Sequence, residues 1–154
     1  AEGLNLHLDG LEARVTHLPR GHTDGDSLVY FPGVNVIHAG DLVFHGLFPF
    51  IDLDNGGTVD GYIAAQERIL AMADGDTRII PGHGELTDRE GLAADLAMLR
   101  DGKARVAALL ARGLDEEQVL AANPLADYHD EYNWGFITTE RMTRTLYRDL
   151  AGAD

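Results

Sequence analysis

Cysteine is absent from this chain, which excludes disulfides, thiolate nucleophiles and thiolate metal sites, and leaves the redox state of its compartment unmarked. Basic residues are scarce: 12 Lys and Arg stand against 26 Asp and Glu, a formal net charge of -14. Such a balance supplies no clustered basic face for phosphate backbones, which argues against a nucleic-acid or anionic-membrane partner. A small anionic substrate stays open, because a bound dication reverses the local potential. No apolar run approaches the roughly 20 residues of a membrane span. Low-complexity tracts, internal repeats and linkers are also missing. Ala1 opens directly into strand-like sequence, with neither an initiator Met nor a signal-peptide pattern. The chain is therefore expected to be a processed or excised piece of a longer protein, and its compartment is left unassigned.

What is present is an ordinary globular balance, 45% hydrophobic and 25% charged over 154 residues. That length supports one domain with a core and is short for two, so residues 1–154 are read as a single α/β unit. Residues 1–86 are strand-rich and residues 87–154 helical. Leu4, Leu6 and Leu8 alternate with Asn5 and His7; Asp9-Gly10 then turns the chain into Leu11, Ala13 and Val15. An Asp-Gly link between alternating runs predicts a hairpin, because the type I′ turn needs positive φ at both central residues. Ser27–Phe31 and 34–38 read as short strands separated by Pro32-Gly33, and 77–80 as another.

The second half carries helical periodicity. Thr58 is placed to cap a helix with the stripe Val59, Tyr62, Ile63, Ile69, Leu70 and Ala73. Thr87 with Glu90 predicts a capping box for a longer helix ended by Gly113, with Gly102 as a kink or break. Residues 115–122 make a short helix stopped before Asn123-Pro124. Thr138 is the expected N-cap of the last helix, with Ile137 and Met142 as its hydrophobic staple.

Three stretches each carry one metal-type ligand in a loop between apolar runs: Gly21-His22-Thr23-Asp24-Gly25-Asp26, His38-Ala39-Gly40-Asp41 and Pro81-Gly82-His83-Gly84. Imidazole nitrogen and carboxylate oxygen suit zinc, with iron and manganese also compatible, and the adjoining glycines let the backbone bend into a compact site. Singly, each has a plain alternative: a loop histidine is often structural, and a lone carboxylate such as Asp41 often caps a turn. Together, at strand ends, His22, Asp41 and His83 form the candidate ligand set. Asp24 and Asp26 read as turn or supporting groups, Asp26 being placed to hydrogen-bond the ligand loop. His38 either orients Asp41 or is a buried, hydrogen-bonded core histidine. His7, His17, His45 and His129 read as structural, with His45, four residues after Asp41, the foremost exception. Phe44, Phe48, Phe50, Tyr128, Tyr132 and Trp134 are either core or the lining of an apolar pocket.

At these residues the chain resembles the metallo-β-lactamase superfamily. His-Thr-Asp-Gly-Asp at 22–26 looks like the family's isolated histidine motif, Gly40-Asp41 like its bridging aspartate, and Pro81-Gly82-His83-Gly84 like its last histidine. The resemblance runs on through Tyr30-Phe31-Pro32, Ala39-Gly40-Asp41-Leu42 and Pro49-Phe50-Ile51-Asp52. It implies half of an αββα sandwich, a β-sheet with helices on one face, plus C-terminal helices. It also implies one or two zinc ions, held by His22, Asp41 and His83, with Asp41 carried in a catalytic role. A metal-bound hydroxide would attack an ester, amide, lactam or thioester bond of a small-molecule substrate.

The family's His-x-His-x-Asp-His motif has no counterpart, since no two of the seven histidines are separated by a single residue. Asp41 stands where many true β-lactamases carry Cys or Ser, and 42–50 lacks the pattern of glyoxalase II relatives, which weighs against lactams and thioesters. Half a sandwich leaves one sheet face without its partner, so a complementary N-terminal half or a second copy is expected to cover it. Two classes stay open: the C-terminal half of a binuclear zinc hydrolase, inactive or impaired alone, or a non-catalytic metal-binding or interaction half-domain.

Overall fold

The computed structural model describes residues 3–152. Ala1, with the expectation attached to it, residues 153–154 of the expected single domain, and the side chain of Leu8 lie outside the described residues. Strands β1 (Gly3–Leu8) and β2 (Leu11–His17) form the expected hairpin, with Asp9 at φ 48° and Gly10 at φ 87°. Strands β3 (Ser27–Phe31), β4 (Val36–Phe44) and β5 (Arg78–His83) complete a five-stranded sheet in sequential order. Each pair is antiparallel except β4 with β5, which is parallel. A parallel pair needs a crossover, and helix α1 (Val59–Met72) supplies it.

Two strands run longer than their apolar cores predict. Residues 34–38 shift and extend to Val36–Phe44, because Asn35 adopts φ 52° in the turn and the ladder with β5 continues past Gly40. Likewise 77–80 becomes Arg78–His83, so Pro81-Gly82-His83 is the end of a strand and not a free loop. Register shifts between His38, Gly40 and Phe44, with Gly40 at φ 54°, bulge β4 around Asp41.

Pairing assigns the two faces. Arg14, Tyr30, Ile37 and Ile79 are joined in one cross-strand row, and the buried Ile37 and Ile79 of that row pack with Leu28, Ala65, Ile69 and Leu92. Helices therefore cover that face. The neighbouring row, Leu4, Val15, Val29, His38 and Ile80, lies on the opposite face. There Leu4 is 57% and Ile80 37% exposed, and His38 is exposed as well. A core position for His38 is thus corrected: strand alternation turns it to the uncovered face.

Thr58 caps α1 by accepting from the Gly61 amide. The Thr87–Glu90 capping box does not form, because the Thr87 backbone is bridged to Ile79 in both directions. Asp88 caps helix α2 (Arg89–Leu110) instead, accepting from the Glu90 and Gly91 amides. Gly102 does not break α2, which runs on from Arg89 to Leu110. It is buried, and a Cβ there would meet Leu125 Cδ2 at 2.9 Å, so its smallness serves close packing. A capping box does occur at helix α3 (Glu116–Ala122), between Asp115 and Gln118. The short α4 (His129–Tyr132) leads to α5 (Thr139–Ala151), capped by Thr138 as expected. Ile137 and Met142 are both buried in the second core, with Phe44, Phe48, Tyr62, Leu99 and Leu146. That core fastens the helical region to the segment following β4.

Candidate metal centre

The first loop is closed by its own ends. The His17 ring bonds the Asp24 carbonyl at 2.7 Å, and the Leu18 amide donates to the Asp26 carbonyl at 2.9 Å. Asp26 accepts from the Thr23 amide at 2.8 Å and the Thr23 hydroxyl at 3.1 Å, a supporting position of the kind its spacing suggested. The Asp24 backbone joins the loop to Asn55 at 3.1 Å. Beneath His22, Gly57 permits a close approach: a Cβ there would lie 2.3 Å from the His22 carbonyl oxygen.

His22 holds its ring by one bond, Nδ1 to the Phe50 carbonyl at 2.7 Å. A carbonyl only accepts, so Nδ1 carries the hydrogen, and Nε2 is the nitrogen turned to the site. It faces Asp41, with Nε2 3.6 Å from Oδ2. On the other side, His83 Nε2 lies 3.4 Å from Asp41 Oδ1. The His83 ring is stacked on Phe44 at 4.4 Å and 17°, which fixes its plane. Gly82 makes room for the carboxylate: a Cβ would meet Asp41 Oδ1 at 2.1 Å. The structure thus brings His22, Asp41 and His83 together from three distant stretches.

These separations exceed a good hydrogen bond. They match the spacing of two donors on one tetrahedral cation, about 3.4 Å for bonds near 2.1 Å. Each carboxylate oxygen is paired with only one imidazole. Among the described residues, accordingly, no group of three or more His, Cys, Asp or Glu side chains is gathered around one point. Two imidazoles and a carboxylate are donors of the kind a divalent cation takes, but three of them do not converge on one point. The arrangement leaves the site open, with the Asp41 side chain 40% and that of His83 44% exposed.

His38 does not join the centre. Its Nδ1 accepts from the Gly40 amide at 3.3 Å, and no hydrogen bond links it to Asp41 among the described residues. His45 proves more consequential than a surface histidine. Its amide donates to the His83 carbonyl at 3.0 Å, while its Nδ1 lies 2.8 Å from Asp95 Oδ2. Asp95, 3% exposed on α2, also accepts from the Gly46 amide at 3.1 Å. Burial holds the Asp95 carboxyl above its usual range, despite the opposing bonds from His45 and Gly46. Asp95 escaped the sequence reading, though a signal existed: it falls on the buried stripe of Leu92, Leu96 and Leu99. His129 bonds Thr139 Oγ1 at 2.8 Å, a structural role. Phe44, Phe48 and Tyr132 are core, while Phe50, Tyr128 and Trp134 are only partly buried against it.

A sequence model of the Metallo-beta-lactamase superfamily matches residues 1–83, a span that ends on the second histidine of the centre. An uncharacterized protein of Aquifex aeolicus (strain VF5) is 34% identical over 87 residues, which cover 56% of this chain and 40% of that relative. The chain is similar in fold to a metallo-beta-lactamase from Pontibacter korlensis, with a TM-score of 0.58 at 20% identity over 66% of this chain and 47% of that one. It is likewise similar to the stereoselective inverting sec-alkylsulfatase Pisa1 from Pseudomonas sp., with a TM-score of 0.70 at 15% identity over 99% of this chain and 26% of that one. The chain spans less than half the length of each of these proteins. With its mixed sheet, one-sided helices and a family match over more than half its length, this chain belongs to the metallo-beta-lactamase superfamily.

Proposed function

We propose that this chain is the C-terminal half of a metal-dependent hydrolase, most simply a binuclear zinc enzyme acting on an ester or amide. The observation that carries this reading is the Asp41 carboxylate between two imidazoles, at 3.6 Å from His22 and 3.4 Å from His83. His22, Asp41 and His83 would be the residues of this chain that hold the metal. When bound, two dications supply Lewis-acid polarisation of a carbonyl and activation of water. This chain's own part is positional. The Phe50 carbonyl keeps His22 in its Nε2-ligating tautomer, Phe44 orients His83, and Gly82 admits the bridging carboxylate.

The missing ligands would arrive with a partner on the uncovered face. Leu4, Leu6, Leu11 and Ile80, each 37% exposed or more, favour an apolar partner there. A complementary N-terminal half answers both needs, apolar cover and further histidines; a second copy is the other candidate. The rival reading, a non-catalytic metal-binding or interaction half-domain, draws support from the lack of a three-ligand group among the described residues.

The test is metal content and ester turnover, measured on the chain alone and with a co-expressed N-terminal half bearing a His-x-His-x-Asp-His segment. The hydrolase reading expects about two zinc ions per complex, turnover only in the complex, and loss of both in His22→Ala and Asp41→Ala. Zinc content indifferent to His22, Asp41 and His83 would refute the ligand assignment. Full metal loading without turnover would favour the half-domain.

A further inference from the structure

Beside the candidate centre, six aromatic rings close a circuit. His22 meets Phe50 at 5.4 Å, Phe50 meets Phe136 at 5.4 Å, and Phe136 meets Trp134 at 5.7 Å. Trp134 then meets His83 at 5.8 Å, and Phe44 joins His83 at 4.4 Å to His22 at 6.4 Å. The two candidate metal ligands are thus members of a continuous aromatic surface. Phe44, 2% exposed, is its floor, whereas Phe136 is 48% exposed at its rim. An apolar ring left half in water at that rim is poorly explained by core packing alone.

A cation stands at the same rim. The Arg141 guanidinium lies 4.3 Å from the Phe136 centroid and 5.2 Å from that of Phe50. Its Nη1 donates to the Phe136 carbonyl at 2.9 Å, which locks the fork in place and leaves further N–H donors. No carboxylate pairs with Arg141 among the described residues, yet its helix neighbours are paired: Arg144 with Glu116 and Glu140, Arg148 with Asp54. Asp52, in the cleft beneath, is engaged by Asn55 at 2.8 Å. In a chain of net charge -14, an arginine held over aromatic rings with no carboxylate in ion-pair contact among the described residues is a cation left for an anionic ligand.

We propose that this circuit is the substrate-binding wall and that Arg141 selects substrates whose apolar, ring-bearing body ends in a carboxylate or similar monoanion. The inference rests on the hydrolase reading for what happens at the bond cleaved, but the binding preference belongs to the wall itself. Phe50 touches both His22 and Arg141, so one aromatic ring separates the metal-side imidazole from the anion-binding fork. The substrate would lay its body along that ring, with its anionic end on Arg141 and its reactive bond towards Asp41.

Trp134, the sole tryptophan, lies in the wall and reports occupancy without turnover. Its fluorescence should be quenched saturably in the 154-residue chain by 4-phenylbutyrate, about tenfold more tightly than by the neutral 4-phenylbutyramide. Arg141→Gln should erase the preference with amide affinity kept, Arg141→Lys should restore part of it, and Phe136→Ala should weaken both ligands. Equal affinities in the parent chain, or a preference that survives Arg141→Gln, would overturn the proposal. Zinc content measured on the same samples separates the two readings. Preference without zinc binding upholds the wall and removes the hydrolase, while zinc binding without preference removes the wall.

Discussion

The Asp95 carboxylate, buried in α2, lies 2.8 Å from Nδ1 of His45, and the His45 backbone in turn holds the His83 carbonyl. A carboxylate inside the helical layer thereby anchors the strand end that carries a candidate ligand. Asp95 also receives the Gly46 amide, so two bonds tie this turn to α2. Asp95→Ala should cost about 1–3 kcal/mol through the donors it orphans. It should also loosen zinc binding relative to Asp95→Asn, which keeps an acceptor. Denaturant midpoints and zinc titrations check both; an Asp95→Ala chain as stable as the parent would contradict the anchoring role.

The same carboxyl sets a pH dependence. Burial, assisted by repulsion from Glu131, raises its folded value above the ordinary 3.8, and the His45 bond only partly offsets this. Below 3.8 both states hold the proton. As pH rises from there to the raised folded value, the unfolded state gives up its proton first and is favoured. The stability of the parent relative to Asp95→Asn should therefore fall with rising pH through that window and stay level above it. Urea unfolding of the pair from acid to neutral pH reads the sign directly, and a rising difference would be the wrong one.

Gly82 is the tightest steric condition on the centre. A Cβ there meets Asp41 Oδ1 at 2.1 Å and the Gly40 carbonyl carbon at 2.7 Å. Gly82→Ala should displace the carboxylate from between the imidazoles, lowering zinc content, and cost about 1–3 kcal/mol in backbone shifts. Zinc bound by Gly82→Ala as well as by the parent would show that Asp41 need not sit there.

Metal itself should stabilise the fold. Zinc at a hundredfold its Kd should add about 2.7 kcal/mol, seen as a rise in Tm that EDTA reverses. His83→Ala should abolish most of that rise.

Within α1, the buried Tyr62 hydroxyl makes no well-formed hydrogen bond among the described residues, with the Phe44 backbone as a weak polar neighbour. Its ring packs in the core with Phe44 and Phe48, so the hydroxyl is a cost the ring does not share. Burial also pushes its pKa far up, because an anion there would be worse still. Tyr62→Phe should gain about 1 kcal/mol in chemical denaturation. A loss of that size would point to an unseen partner for the oxygen.

Local rules carried much of the fold. The Asp9-Gly10 hairpin, the Thr58 and Thr138 caps and the amphipathic stripes depend on neighbours within a few residues, and each formed as its pattern implied. The misread features were those in which a distant element competes. Thr87 lost its capping role because Ile79 claims its backbone, and Gly102 stayed helical because Leu125 and Leu146 pack against it. For His38 two places stood open, beside Asp41 or in the core, and strand parity gives it neither, turning it to the uncovered face.

By itself the sequence determined the candidate ligand types, their order His22, Asp41, His83 and the glycines beside them, because spacing and side-chain chemistry are written residue by residue; the half-sandwich class came from the resemblance to the superfamily. Only the tertiary structure decided which groups share a space: one imidazole to each Asp41 oxygen, Asp95 behind His45, and Arg141 over Phe136. Such pairings arise from strand register and helix packing across tens of residues. No local pattern encodes them, because each depends on where the rest of the chain has already gone.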